Sequence, residues 1–256
     1  MGRIMRVLSL PLGEIRIVAD AATLSRAAAE EFVRVANQAA AELGRFTVAL
    51  SGGSTPRTAY KLLAAECAEG RHRLPWKQIH VFFGDERHVT PDHPDSNFHM
   101  ATETLLKHVP IPPANIHRVH AELEAEAAAT HYEAELRAFF RLNAGGWPCF
   151  DLVLLGLGVD GHTASLFPGT AALAERTRLV CANWVPKFNR HRVTLTLPVI
   201  NAAARVAFLV SGPDKAPAVR AILRPGGDDP KHPAGLVQPA SGRLLWLLDE
   251  AAASGL

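Results

Sequence analysis

Apolar and polar positions along this chain alternate between two kinds of segment. Short apolar runs predict strands over residues 46–50, 79–83, 151–155, 193–197, 205–210 and 244–248. Longer segments with the spacing of amphipathic helices predict helices over residues 21–43, 57–67, 96–108, 122–142 and 215–223. Strands that alternate with helices indicate an α/β fold, here a three-layer α/β/α sandwich around a mainly parallel, Rossmann-like sheet.

Nothing in this pattern divides the chain into parts. There is no internal repeat, and the Gly- and Pro-rich stretch 225–239 is too short to separate two domains, so it is interpreted as a loop. With 256 residues, 48% of them apolar, the chain is long enough to bury one large core. We therefore predict a single domain over residues 1–256.

Composition narrows the class of protein. The formal net charge of +2 is small, the basic residues are dispersed and aromatic residues are few, so a nucleic-acid groove is not expected. Cys67, Cys149 and Cys181 have no C-x-x-C spacing, which favours reduced thiols in a cytoplasmic protein. The apolar N-terminus is interrupted by Pro11 and Gly13, so neither a signal peptide nor a membrane span is predicted. The sequence leaves the oligomeric state open, a monomer included.

The segments that follow four predicted strands share a composition. They are rich in Gly and in polar or charged residues, and they read SGGSTPR, GDERH, GLGVDGHTAS and SGPDK. In a parallel sheet the carboxyl ends of the strands meet at one edge, where ligands bind. The sequence therefore predicts one ligand site built from these four segments.

The segment SGGSTP joins a predicted strand to a predicted helix. Glycines such as Gly53 allow backbone N–H groups to point inward, Pro56 suits the first helical turn, and Ser54 or Thr55 can cap the helix. The helix N-terminus then forms an anion site, which suits a single phosphate ester. No Gly-Lys-Ser/Thr follows, so this is not a nucleoside triphosphate loop. An ordinary capped turn remains the alternative.

Ionisable residues occur in two of the other segments. In GDERH we predict that Asp85 and Arg87 contact the substrate, since the guanidinium fork of Arg recognises phosphate or carboxylate. Lys215 in SGPDK supplies a cation to the phosphate or is a solvated helix residue. Histidines after residue 87 lack any recognisable ligand spacing, so no metal site is predicted.

The segment GLGVDGH satisfies the G-x-G-x-x-G pattern of dinucleotide-binding proteins. That pattern requires a long helix directly after the glycines, whereas Pro168 and Gly169 allow only one short helical turn, HTASLF. We therefore reject the dinucleotide interpretation. His162, predicted at the start of that turn, is expected to be a neutral general base, with Asp160 in a position to orient its ring.

The chain resembles the 6-phosphogluconolactonase family. The resemblance is carried, in order, by ALSGGSTPRTAYKLLA, FFGDERHVTPDHPDSNFHM, FDLVLLGLGVDGHTASLFPG, RVTLTLPVINAAARVAFLVSGPDKA and GRLLWLLD, which cover most of residues 46–249. Residues 1–45 match only in general character.

The resemblance implies hydrolysis of 6-phospho-D-glucono-1,5-lactone to 6-phospho-D-gluconate in the pentose phosphate pathway, with no metal and no cofactor. It implies that His162 activates water beside Asp160. It also implies that the loop with Gly53, Ser54 and Thr55 binds the substrate phosphate, together with the cationic side chains. By the same resemblance, Arg87 and Lys215 hold the phosphate, and Arg192 is a further substrate contact.

Two alternatives stay open at this point. Glucosamine-6-phosphate deaminases share the phosphate loop and the DGH core, but they carry an acidic residue after it, where this chain has TASLFPG. A sugar-phosphate sensor without turnover would use the same fold. Such sensors usually carry a DNA-binding domain, and no basic helix-turn-helix segment is evident in this sequence.

Overall fold

The main sheet of the structure, a computed structural model, has seven strands. The structure describes residues 4–10, 13–224 and 231–256. The strands are β1 (Ile4–Leu10), β2 (Gly13–Val18), β3 (Phe46–Leu50), β4 (Ile79–Phe83), β6 (Leu152–Leu155), β9 (Arg205–Val210) and β10 (Arg243–Asp249). Their order is β1-β2-β10-β9-β6-β3-β4, and within the described residues only the β1–β2 pair of this sheet is antiparallel. The predicted α/β class with a mainly parallel sheet is confirmed.

Three further strands form a small antiparallel sheet. They are β5 (Asp85–Arg87), β7 (Val180–Val185) and β8 (Arg190–Leu195), in the order β5-β8-β7. Since β5 follows β4 after Gly84 alone, this small sheet stands at the carboxyl end of the main sheet. The strand predicted over 193–197 is β8 of this small sheet, where it pairs with β5 and β7. It ends at Leu195 because a short helix begins at Leu197.

Six α-helices connect the strands of the described chain: α1 (Ala21–Leu43), α2 (Ser54–Ala68), α3 (Asn97–Thr104), α4 (Ala125–Phe140), α5 (Leu197–Asn201) and α6 (Ala216–Leu223). Helix α1 has the predicted bounds because Asp20 caps its first turn and Gly44 ends it in the left-handed conformation at φ 72°. None of the helices in the described residues is both long and apolar enough to cross a bilayer. Of the loop predicted over 225–239, residues 225–230 lie outside the described part, and a 3-10 turn occupies Pro233–Leu236.

Two buried tyrosines fix the ends of the strands that lead to the site. The Tyr60 hydroxyl of α2 donates to the carbonyl of Ser51 and accepts from its N–H, both at 3.1 Å. In the same manner the Tyr132 hydroxyl of α4 accepts from Phe83 N–H at 2.9 Å and donates to its carbonyl at 3.2 Å. Each tyrosine hydroxyl therefore satisfies both backbone polar groups of one residue, at or just after the end of a strand, and fixes where the following loop begins.

Candidate active site

A cavity of about 230 Å³ opens at the carboxyl ends of the central strands. Its walls come from the four Gly-rich segments singled out in the sequence. The predicted site residues that line it are Gly53, Ser54, Thr55, Asp85, Arg87, His162 and Lys215. Asp160 and Arg192 do not line the cavity. Asp160 is bonded to His162 and Arg192 is the strand partner of Arg87, and both of these partners line it.

The N-terminus of α2 faces this cavity without a side-chain cap. Its N-cap residue is Gly53 at φ 105°, and no side chain accepts a capping hydrogen bond from the first N–H groups, so the predicted capping by Ser54 or Thr55 is wrong. The reason is the backbone conformation of Gly53, which places both hydroxyl residues inside the helix. The first N–H groups of the helix have no intrahelical partner, so they are available to an anion in the cavity.

Gly52 brings the same loop into contact with α3. A Cβ atom at this position would lie 1.9 Å from Oδ1 of Asn97, so only glycine fits. Asn97 is buried, and its Nδ2 donates to the carbonyl of Asp85 at 2.9 Å and to its carboxylate at 3.1 Å. Asn97 was not among the predicted site residues, because its contacts with Gly52 and Asp85 join separate loops and have no local sequence signal.

Asp85 connects two walls of the cavity. Its side chain is buried and accepts hydrogen bonds from Asn97 and, at 2.6 Å, from Oγ of Ser165. The carboxylate therefore holds the loop after His162 against β5. The contact of Asp85 with substrate stays a prediction. What the structure shows for Asp85 is that it positions two loops.

Two cationic side chains, Arg87 and Lys215, line the cavity, and a third, Arg192, neighbours Arg87. Arg87 and Arg192 are opposite each other in the β5–β8 pair, and the Arg87 guanidinium donates to the carbonyl of Asp95 at 2.6 Å. Burial and the neighbouring Arg87 cation lower the pKa of Arg192. Lys215 precedes α6, where its ammonium lies 3.0 Å from Asp214. Two guanidinium groups in such proximity favour a bound anion.

The segment GLGVDGH folds into a closed turn around His162. Gly158 N–H donates to the His162 carbonyl at 2.9 Å, and Gly161, at φ 76°, donates its N–H to the Gly158 carbonyl at 2.9 Å. A Cβ atom on Gly158 would lie 1.9 Å from Nδ1 of His162, so the imidazole ring occupies the space that a side chain would need. The glycines therefore make room for the histidine ring.

The predicted helical turn after His162 is wrong. The chain there forms turns with a bridge between Thr163 and Leu166, and Ala164 has φ 46°. The hydroxyl of Thr163 donates to the Gly156 carbonyl at 2.9 Å, and the hydroxyl of Ser165 donates to the Asp85 carboxylate. These two hydrogen bonds hold the segment away from helical geometry. The expected influence of a helix N-terminus on His162 is therefore absent within this described segment.

Asp160 orients the His162 ring. One carboxylate oxygen, Oδ1, pairs with ring Nδ1, and the other, Oδ2, accepts from the ammonium of Lys187 at 2.9 Å. Burial by itself would raise the pKa of Asp160, but the hydrogen bonds from His162 and Lys187 lower it to about 2. With Nδ1 bonded to a carboxylate, Nε2 is the ring nitrogen left to accept a proton.

Phe167 and Lys187, which were not among the predicted site residues, complete this arrangement. The Phe167 ring stacks on the His162 ring with centroids 4.1 Å apart and planes at 23°. Lys187 lies on the turn Pro186–Phe188 between β7 and β8, 27 positions after Asp160. No local spacing could have indicated Lys187, because its contact with Asp160 arises only when the small sheet packs beside the glycine loop.

The fold and the cavity are those of an α/β protein with a ligand site at the carboxyl edge of a mainly parallel sheet. Residues 19–246 match the model of the family described as glucosamine-6-phosphate isomerases/6-phosphogluconolactonase, and the chain belongs to this family. The chain is 49% identical to a 6-phosphogluconolactonase of Nostoc sp. over 214 residues, which are 83% of this chain and 85% of that protein.

Further similarities agree with this assignment. A 6-phosphogluconolactonase of Synechocystis sp. is 49% identical over 86% of this chain and 88% of that protein. The solved structure of 6-phosphogluconolactonase from Trypanosoma brucei superposes with a TM-score of 0.84 at 31% identity, over 97% of this chain and 100% of that one. The family resemblance stated from the sequence is confirmed.

Proposed function

We propose that this chain hydrolyses 6-phospho-D-glucono-1,5-lactone to 6-phospho-D-gluconate in the oxidative pentose phosphate pathway, with His162 as general base. One observation carries the proposal: His162, which is bonded to Asp160, lines the same cavity as an uncapped helix N-terminus and Lys215. The 49% identity to curated 6-phosphogluconolactonases over most of the chain supports the substrate.

The substrate phosphate binds at the N-terminus of α2. The free N–H groups of its first turn and the positive end of the helix dipole favour a dianion there. Lys215 and Arg87 line the same cavity and add positive charge to it. Ser51 also lines the cavity, and its buried hydroxyl has no hydrogen-bond partner within the described residues.

The reacting carbonyl then lies towards His162. A water molecule gives a proton to Nε2 of His162 while its oxygen forms a bond to C1 of the lactone, which gives a tetrahedral oxyanion. The oxyanion collapses, the bond between C1 and the ring oxygen breaks, and the ring oxygen takes the proton from His162. Asp160 stabilises the imidazolium that exists between these two steps.

A paired assay tests the proposal. The purified protein is given the phosphorylated lactone, with acid release measured above spontaneous hydrolysis, and separately glucosamine 6-phosphate, with ammonia release measured. We expect catalysed hydrolysis of the lactone and no ammonia. Ammonia release would instead indicate the deaminase reaction, and binding of both compounds without turnover would indicate a sensor.

The cytoplasmic location expected from the sequence is part of this proposal. Cys67, Cys149 and Cys181 are free thiols in the structure, as suits a protein of a reducing compartment. The small sugar-phosphate lactone is the partner that the proposal requires.

A further inference from the structure

A second cavity, of about 630 Å³, lies at the opposite edge of the main sheet from the candidate active site. It is formed where β2, β9 and β10 begin, beside α1. Its lining includes four arginines and two glutamates, namely Arg16, Arg34, Arg205, Arg243, Glu14 and Glu31. At neutral pH these six side chains leave an excess of two positive charges around one cavity.

Glu31 orders most of these arginines. Its carboxylate is buried, and it pairs with Arg205 at 2.6 Å, with Arg34 at 2.7 Å and with Arg16 at 3.4 Å. Arg16 also contacts Glu14. This network connects α1 to β2 and β9, which explains the burial of Glu31, and it holds three guanidinium groups around the cavity before any ligand arrives.

Arg243 is not part of the Glu31 network. This exposed arginine has no ion pair or hydrogen bond from its side chain within the described part of the chain. Its register partner on the neighbouring strand is Arg205, so two like charges stand directly opposite each other. Opposed like charges destabilise a strand pair, and an anion bound between them removes this repulsion.

We propose that this cavity binds a small multivalent phosphate anion between Arg243 and Arg205. Arginine is the residue suited to such a ligand, because its planar fork donates two parallel hydrogen bonds to phosphate oxygens. Arg205 uses one terminal nitrogen for Glu31 and keeps further N–H donors for the ligand. Since the anion bridges β9 and β10 beside α1, its binding stabilises the folded chain.

Inorganic pyrophosphate is the probe for this site. Its binding is measured by calorimetry and by the rise in Tm, with and without saturating 6-phosphogluconate to occupy the candidate active site. Arg243→Met removes the unpaired cation without breaking the Glu31 network. The matched control is Arg26→Met, which removes the same charge from α1 at a position about 12 Å along the helix from Arg34. In the described residues, the only ion pair of Arg26 is with Glu66 at 4.0 Å.

We expect saturable binding of pyrophosphate that persists with the product present. Arg243→Met should weaken it by at least about tenfold, the effect of losing hydrogen bonds to a charged group, whereas Arg26→Met should leave it unchanged. Absence of saturable binding to the unmodified protein would overturn the proposal. Full binding by the Arg243 variant, or equal weakening by both variants, would overturn it too, because general electrostatic attraction would then explain the result.

Discussion

The ammonium group of Lys187 lies 2.9 Å from Oδ2 of Asp160, whose other oxygen pairs with the His162 ring. Lys187 comes from the hairpin of the small sheet, and the other two residues come from the glycine loop of the main sheet. The two sheets therefore meet at one carboxylate. With its pKa at about 2, Asp160 is ionised at neutral pH and can hold a proton donor on each side.

Replacing Lys187 by Met should shift the pH dependence of catalysis. The change removes one of the hydrogen bonds that lower the pKa of Asp160. The Asp160 carboxyl group is then protonated at a higher pH than in the unmodified protein, and there it no longer supports the His162 ring. We expect the acid limb of kcat/KM to move upward by about half a unit to one unit, with kcat recovered in alkaline buffer. The measurement is a pH–rate profile corrected for spontaneous hydrolysis.

Two further variants make this result specific. Lys187→Arg keeps the cation and should retain the original acid limb. Lys107→Met breaks a surface ion pair with Glu103, remote from the cavity lining, and should change nothing. An acid limb that stays in place in the Lys187→Met protein would show that Lys187 does not act through the Asp160–His162 pair.

His162→Ala should lose most lactonase turnover, by about 100-fold or more, because general base catalysis contributes about that much. Affinity for 6-phosphogluconate should persist, since the phosphate is held at the other end of the cavity. Turnover and product binding are measured on the same preparation. The exposed His131→Ala serves as the control for loss of a histidine. Unchanged turnover in the His162 variant would remove the role assigned to this residue.

Gly158→Ala should resemble the loss of His162 itself. The added methyl group would lie 1.9 Å from ring Nδ1, so the ring must leave its position beside Asp160. We expect kcat to fall by about 100-fold, with a small change in KM. Gly84→Ala is the matched control, because its Cβ would lie 3.5 Å from the nearest atom, an ordinary contact. Equal activities of the two variants would contradict the steric role of Gly158.

Arg87→Ala and Lys215→Ala test the phosphate end of the cavity. Each should raise KM for the phosphorylated lactone by about tenfold, because a hydrogen bond to a charged group is lost. Unphosphorylated glucono-lactone provides the comparison within each variant, and its KM should change little. Equal losses for both substrates would place these side chains away from the phosphate.

Much of the fold could be predicted because local patterns agree with tertiary structure over long segments. Strands β3, β4 and β9 and helix α1 have the predicted bounds, since continuous apolar runs are typical of buried parallel strands and Asp20 and Gly44 cap the helix. The small sheet was not predicted. Its short strand β5 is a charged segment, DER, whose pairing depends on a distant partner, β8.

The convergence of four Gly-rich strand ends on one cavity could be predicted from the amino-acid sequence, because parallel strands place their carboxyl ends at a common edge. The conformation of the His162 loop and the residues around it could not, since both depend on tertiary contacts. Its turn is set by contacts to Gly156 and Asp85, and Asp160 is bonded by Lys187. The first result depends on the order of elements along the chain. The second depends on side chains that meet after packing, which no local spacing encodes.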